Sequence, residues 1–485
     1  MRIKQLILAL LLPVFAMAQD DKGEQHRPRI HFSPRKGWMN DPNGMVYLNG
    51  TYHLFFQHNP DSTVWGPMHW GHAVSKDLLH WKELPIALYP DSLGTIFSGS
   101  AVIDSNNTAG FGKNAMVAIY TNHNHQQEAA GTETFQNQSI AYSLDEGKHW
   151  TKYKGNPVLS NPGIRDFRDP KVSWYAAGKK WIMTLATRDH ITFYSSTDLK
   201  HWKEESRFGK EEGAHGGVWE CPDLFPLYDK GNEVWVLIVN INPGGPNGGS
   251  ATQYFTGTFD GHTFKADHTT TKWLDYGPDE YAGVTWSNVR GRSIFLGWMS
   301  NWEYANVVPT GNWRSACTIA RELKLVKTGG QYLVASVPVR EYDKITGKVI
   351  TAENVTTNHF PLHAQPGKLS LSFAKAASFS ITLSNNQGEQ MVIGYDRAKN
   401  EYFTDRRKSG DVGFAQGFGG RYTAPRFTIK PAMDLTLIID DASVEVFADG
   451  GLSVMTSIFF PGKNYTDISI SSEEKIAKVV FQAIK

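Results

Sequence analysis

Along most of this chain, apolar residues come in runs of about five or six that alternate with polar ones, as strands do. Thr51-Tyr-His-Leu-Phe-Phe56, Ala115-Met-Val-Ala-Ile-Tyr120 and Val234-Trp-Val-Leu-Ile-Val239 are examples, each bounded by Gly, Pro, Asn or Asp. No stretch keeps the 3.6-residue period of an amphipathic helix. The pattern predicts an all-β protein.

A weak internal repeat adds architecture. Ser75-Lys-Asp-Leu-Leu-His-Trp81 returns as Ser143-Leu-Asp-Glu-Gly-Lys-His-Trp150, as Ser196-Thr-Asp-Leu-Lys-His-Trp202 and, degraded, as Thr258-Phe-Asp-Gly-His-Thr-Phe264. The copies are spaced by roughly 50–70 residues, enough for four short strands and their loops, which is one propeller blade. Three good copies and one poor one suggest four to six blades, and five fits the length. After about residue 340 Trp disappears and cleaner alternation begins, in Leu369–Phe373, Leu435–Ile439 and Ser443–Phe447. Alternation means one face buried and one solvated, as in a β-sandwich. The reading is a signal peptide over 1–18, a propeller over 28–340 and a sandwich over 345–485, joined near Val339–Asp343.

The first residues differ from the rest. A basic head, Met1-Arg-Ile-Lys4, precedes an apolar run from Leu6 to Phe15 that is too short to span a bilayer. Ala16-Met-Ala18 is a small-x-small cleavage site, so the mature chain is expected to start at Gln19 in a secreted or periplasmic protein. A net charge of +1 supplies no field for nucleic acid or an anionic membrane. With 485 residues the chain needs no disulfide to fold, and its two cysteines, Cys221 and Cys317, are not paired by anything in the sequence. Oligomeric state is not encoded in any pattern we recognise.

Three acidic motifs carry candidate chemistry. In Trp38-Met-Asn-Asp-Pro-Asn-Gly44, Pro42 is expected to hold Asp41 in extended backbone, with Asn43-Gly44 as a tight turn. Trp38 and Asn40 add an apolar wall and an amide donor. Phe167-Arg-Asp-Pro170 repeats the Asp-Pro device at Asp169, beside a cation that favours an ionised carboxylate. In Trp219-Glu-Cys-Pro-Asp223, Glu220 lies between Trp219 and Cys221, and mostly apolar surroundings are expected. A propeller brings the inner strands of all blades to one funnel, where residues distant in sequence meet. Two such carboxyl groups suit glycoside hydrolysis. His123-Asn-His125 could ligate a metal, but it lacks a third partner in sequence and reads as a solvated loop.

These blocks resemble glycoside hydrolase family 32. Phe55-Phe-Gln-His-Asn-Pro60, Trp65-Gly-Pro-Met-His-Trp-Gly-His72, Phe97-Ser-Gly-Ser100, Gly297-Trp-Met-Ser-Asn-Trp-Glu-Tyr-Ala305 and Ser443-Val-Glu-Val-Phe-Ala-Asp-Gly450 match the same family in order, across almost all of the mature chain. The resemblance implies a five-bladed β-propeller followed by a β-sandwich. It implies cleavage of terminal β-fructosyl units from fructan polysaccharide, fructo-oligosaccharide or sucrose with retention and no cofactor. It assigns Asp41 as nucleophile, Asp169 as transition-state stabiliser and Glu220 as acid/base. Asn40, Gln57, Trp65, Phe97, Ser98 and Arg168 would line the fructose pocket, with Trp302 and Trp298 as an aromatic wall. The run from Trp65 to Leu88, continuing through Phe97 to Val102, resembles bacterial levanases and exo-inulinases more than intracellular sucrose-6-phosphate hydrolases. An endo-acting levanase, a non-catalytic fructan binder, a fructosyltransferase and an arabinan- or xylan-cutting propeller are the competing readings.

Overall fold

A computed structural model describes residues 24–344, 346–362 and 366–484. The expected signal peptide lies outside them. The described chain is all-β: a five-bladed propeller followed by a β-sandwich.

Each blade begins at the axis and meanders outward. The inner strands are Gly37–Leu48, Thr95–Asp104, Phe167–Tyr175, Val218–Asp229 and Tyr281–Thr285. They stand side by side in that order, and the fifth returns to the first. The ring is closed by late residues reaching back: Trp313–Arg314 pairs in parallel with Gly37–Trp38, and Ser287 bridges Val46. The second strand of the second blade, Ala115–His123, is buried at every position. Its continuous apolar run is what a strand covered on both faces requires.

The sequence repeat is the turn between the third and fourth strands of blades one to four. In the first, Ser75 Oγ donates to Asp77 Oδ1 at 3.0 Å, and His80 Nδ1 lies 2.8 Å from Asp77 Oδ2. Asp145 with His149 and Asp198 with His201 repeat this at 2.6 Å. The residue after each Asp takes positive φ, at Leu78, Glu146, Leu199 and Gly261. In the fourth copy the turn survives through Asp260, but His262 bonds Glu205 instead, at 2.7 Å. The fifth blade has a tight Gly329-Gly330 turn at this place, which is why the repeat fades there.

The inner strands slip register at one height: at 39–42, 96–99, 220–223 and 281–284, while the third blade slips opposite Asp169. Such β-bulges re-aim side chains. Pro42, Pro170 and Pro222 lie at three of them, where a residue without an N–H leaves no donor unpaired. Asp41 follows the expected route, but Asp169 does not: its φ is +65°, and Cys221, also before a proline, sits at +42°. Asn43-Gly44 is not a hairpin turn either. It forms a second bulge in the same strand, where Gly44 at φ +55° lies so close to Trp70 that a Cβ would meet the ring at 2.7 Å.

In the sandwich, the long strand Asp467–Ile484 serves several partners, pairing with Thr346–Pro361, Gly367–Phe373 and Phe379–Ser384. Gly367–Phe373 alternates as expected, and Phe379–Ser384 alternates beside it. Ser443–Ala448 does not, because it is buried on both faces. Val444, Val446 and Ala448 enter the sandwich core, while Phe447 packs into a cluster shared with the propeller.

Glu445 faces the propeller too. It accepts from Ile319 N at 2.7 Å, from Arg321 Nε at 2.9 Å and from His31 Nε2 at 2.9 Å. Arg321 also meets Asp275 at 2.9 Å, and His31 meets Asp440 at 2.7 Å. Nearby, Arg406 pairs with Asp279 at 2.6 Å. The sandwich thus clamps residues 275–279, which lead into the fifth inner strand and Tyr281.

Candidate active site

The bulges turn three acidic side chains from three blades into one funnel. Asp41 is supported by two donors: Asn40 Nδ2 at 2.8 Å to Oδ1 and Ser98 Oγ at 2.7 Å to Oδ2. Asn40 is itself oriented by Trp38 Nε1, 2.7 Å from its Oδ1. Asp169 Oδ2 accepts from Cys221 N at 3.0 Å, and Asp169 N donates to Thr121 Oγ1 at 3.1 Å. Cys221 Sγ lies 3.5 Å from Asp41 and 3.6 Å from Asp169, bridging the two carboxylates.

Glu220 is not enclosed by apolar walls. Strand alternation sends Trp219 into the blade core, where it stacks on His215 and donates to Ala214 O at 2.9 Å. Glu220 Oε1 instead receives Arg168 Nη2 at 2.8 Å and Nε at 3.1 Å, and Oε2 receives the Tyr281 hydroxyl. Asp166 steadies the same guanidinium at 2.6 Å. Arg168 is thus shared between the third and fourth blades.

The electrostatics follow from crowding. Burial, then the negative charge of Glu220, pushes the Asp41 carboxyl above its usual range, while Ser98 and Asn40 pull it back. Burial raises Asp169 to about 7 against the stabilising charge of Arg168, with Glu220 and Asp41 adding repulsion. Burial and the surrounding carboxylates keep the Cys221 thiol protonated. Both cysteines are free.

A cavity of about 340 Å3 opens above these groups, lined by Asn40, Asp41, Gln57, Trp65, Phe97, Ser98, Arg168, Asp169, Glu220 and Trp302 among others. Gln57 donates to Ile96 O at 3.0 Å, and Phe97 stacks on His123 with centroids 4.2 Å apart. Trp302 stacks over Trp38 at 5.8 Å. Trp298 is brought close but not into the cavity. It is fully buried behind Trp302, 5.0 Å away, so it backs the wall and does not present a face. Tyr281, Asp166, Gln136 and Glu128 escaped the sequence reading. Asp166 had a signal, its place beside Phe167-Arg-Asp-Pro170. Tyr281 had none, because its partner comes from another blade.

His123 and His125 also differ from expectation. His123 is buried, and a third group, Glu128, joins them from a short helix, His125–Ala129.

A five-bladed funnel with a small polar cavity above converging carboxyl groups is an arrangement suited to a propeller glycosidase. Comparison with known proteins gives the family. Residues 31–336 match the glycosyl hydrolases family 32 N-terminal domain and 339–485 the family 32 C-terminal domain. The chain is 46 % identical to a levanase of Bacillus subtilis, over 98 % of this chain and 73 % of the relative. It is 40 % identical to an extracellular exo-inulinase of Aspergillus awamori, over 93 % and 92 % of the two. The crystal structure of exo-inulinase from that fungus superposes with a TM-score of 0.89 at 38 % identity, covering 95 % of this chain and 99 % of the other. The chain belongs to glycoside hydrolase family 32, and it is a glycoside hydrolase.

Proposed function

We propose that this protein is a secreted β-fructosidase that removes terminal β-D-fructofuranosyl units from levan or inulin, and from sucrose, by retaining double displacement. The observation that carries the reading is the convergence of Asp41 and Glu220 on one cavity from different blades, Asp41 held by neutral donors and Glu220 by a cation and a phenol. Two carboxyl groups meeting in one site are what a retaining glycosidase needs, one to attack the anomeric carbon and one to exchange the proton.

Asp41 attacks the anomeric carbon while Glu220 protonates the departing glycosidic oxygen. Water then enters with Glu220 as base, and the Asp41 ester is cleaved. Asp169 accepts hydrogen bonds from ring hydroxyls as positive charge develops on the sugar, favouring the transition state over the ground state. Asn40, Gln57, Ser98 and Arg168 position the fructosyl ring, with Trp65, Phe97 and Trp302 as its apolar walls.

The cavity is at the small end for ligand sites, which favours removal of one terminal unit over cutting inside a chain. Secretion is supported by the N-terminal sequence and suits a polymeric substrate. The names of the levanase and exo-inulinase relatives point to fructans.

The test is to incubate the mature protein with levan, inulin and sucrose separately and to chromatograph the early products. Fructose alone supports the proposal, and the fastest substrate names the linkage. Short oligosaccharides would replace it with endo action, and longer products from sucrose with transfer. No product from any of them would make this a fructan-binding protein.

A further inference from the structure

We propose that Glu128 is a specificity-determining residue that accepts hydrogen bonds from the leaving-group sugar, held in position by a relay rooted in the catalytic strand. The inference rests on the β-fructosidase reading above.

The relay begins at Phe167, the residue before Arg168 and Asp169. Phe167 N donates to Gln136 Oε1 at 2.8 Å, which fixes the orientation of that buried amide. Gln136 Nε2 therefore donates to His123 Nδ1, at 3.2 Å. The His123 proton must then sit on Nε2, which donates to Glu128 Oε2 at 2.9 Å. Burial pushes His123 down to about 4, so one neutral tautomer persists. Its ring is held between Phe97, stacked at 4.2 Å, and the edge of Phe135 at 5.2 Å.

The chain of bonds leaves Glu128 with a fixed carboxylate and spare acceptor capacity. Arg165 and His125 stand off from it, at 3.8 Å and 3.9 Å. The Glu128 side chain is 37 % exposed and that of Asp169 only 5 %, although both line the cavity. Glu128 therefore lies at the mouth, above the buried base where the fructosyl unit is cleaved. The leaving group passes outward through that mouth. Trp65, 38 % exposed and edge-on to His125 at 6.4 Å, offers an aromatic face on the same rim.

The same three residues, His123, His125 and Glu128, place ligand atoms within 4.8 Å of one another, as a metal site would. The relay argues against that use. Coordination through His123 Nε2 moves the proton to Nδ1, where it faces the Gln136 N–H. Two donors then confront each other in a buried place, each left without an acceptor.

The experiment compares wild type with Glu128→Ala and Glu128→Gln on a fructan trisaccharide and on methyl β-D-fructofuranoside, whose leaving group cannot reach the rim. Glu128→Ala is expected to lose about tenfold in kcat/KM on the trisaccharide, mainly through KM, the worth of a hydrogen bond to a charged group. It should change less than about twofold on the methyl glycoside, and Glu128→Gln should fall between. Equal losses on both substrates, or none on either, would overturn the proposal. So would micromolar Zn2+ inhibition of wild type that Glu128→Ala abolishes, since the cluster would then be a metal site. Wild type inactive on both substrates would sink the β-fructosidase reading and this inference with it, a failure distinct from those of the variants.

Discussion

Ser98 donates its hydroxyl to Oδ2 of Asp41 across 2.7 Å, from the inner strand of the next blade. Burial and Glu220 both push this carboxyl up, and the Ser98 and Asn40 donors pull it back towards the ionised form that the proposed attack requires. Ser98→Ala should move the acid limb of the kcat/KM profile to higher pH and cost about tenfold on that side, the worth of one charge-assisted hydrogen bond. Asp41→Asn should lose about 10^3-fold or more in kcat while its circular dichroism and melting temperature stay close to wild type. Substantial residual turnover would remove Asp41 as nucleophile.

Asp169 shows that the site is maintained against stability. Its carboxyl is raised to about 7 in the folded protein from 3.8. The folded state therefore binds the proton more tightly, and stability falls as pH rises from about 4 through about 7. Asp169→Asn keeps the shape and removes the buried charge. It should abolish activity yet gain about 0.5–2 kcal/mol over wild type at pH 8, with little gain at pH 4, in denaturant titrations. A loss of stability at pH 8 would contradict the assignment.

The domain interface should respond to alkali. His31, between Asp440 and Glu445, is raised to about 9 from 6.5; burial alone would lower it, but the two carboxylates outweigh that. Its contribution is full below pH 6.5 and is lost as pH rises through about 9. His31→Gln should cost about 3–5 kcal/mol at pH 6, as breaking a buried ion pair does, and much less above pH 9. A pH-independent penalty in thermal melts would mean that packing, not charge, makes the contact.

The architecture was legible because a turn leaves a sequence signature. The Ser-x-Asp…His-aromatic repeat marks the outer rim of four blades, where a local hydrogen-bond scheme needs fixed residues at fixed offsets. The rim holds none of the site, so the repeat pointed to a propeller of four to six blades, the length to five, and neither to the chemistry. Asp41, Asp169 and Glu220 were legible as acidic residues within proline-containing motifs. Their surroundings were less so, because neighbours in sequence alternate away. Trp219 turns into its blade, and the real partners of Glu220, Arg168 and Tyr281, arrive from the adjoining blades. Ser443–Ala448 misled for the same reason: alternation predicts a solvated face, and the propeller covers it.

The central claim, that Asp41 attacks and Glu220 handles the proton, is tested most directly by azide rescue. Glu220→Ala and Asp41→Ala would each be given an aryl β-D-fructofuranoside, whose leaving group needs no acid, with sodium azide, and the products read by NMR. With Glu220 removed, azide should intercept the Asp41 ester and yield β-D-fructofuranosyl azide at a restored rate. With Asp41 removed, azide should enter in its place and yield the α-azide. The opposite pairing of configurations would exchange the two roles, and an α-azide from both variants would rule out a covalent intermediate on Asp41.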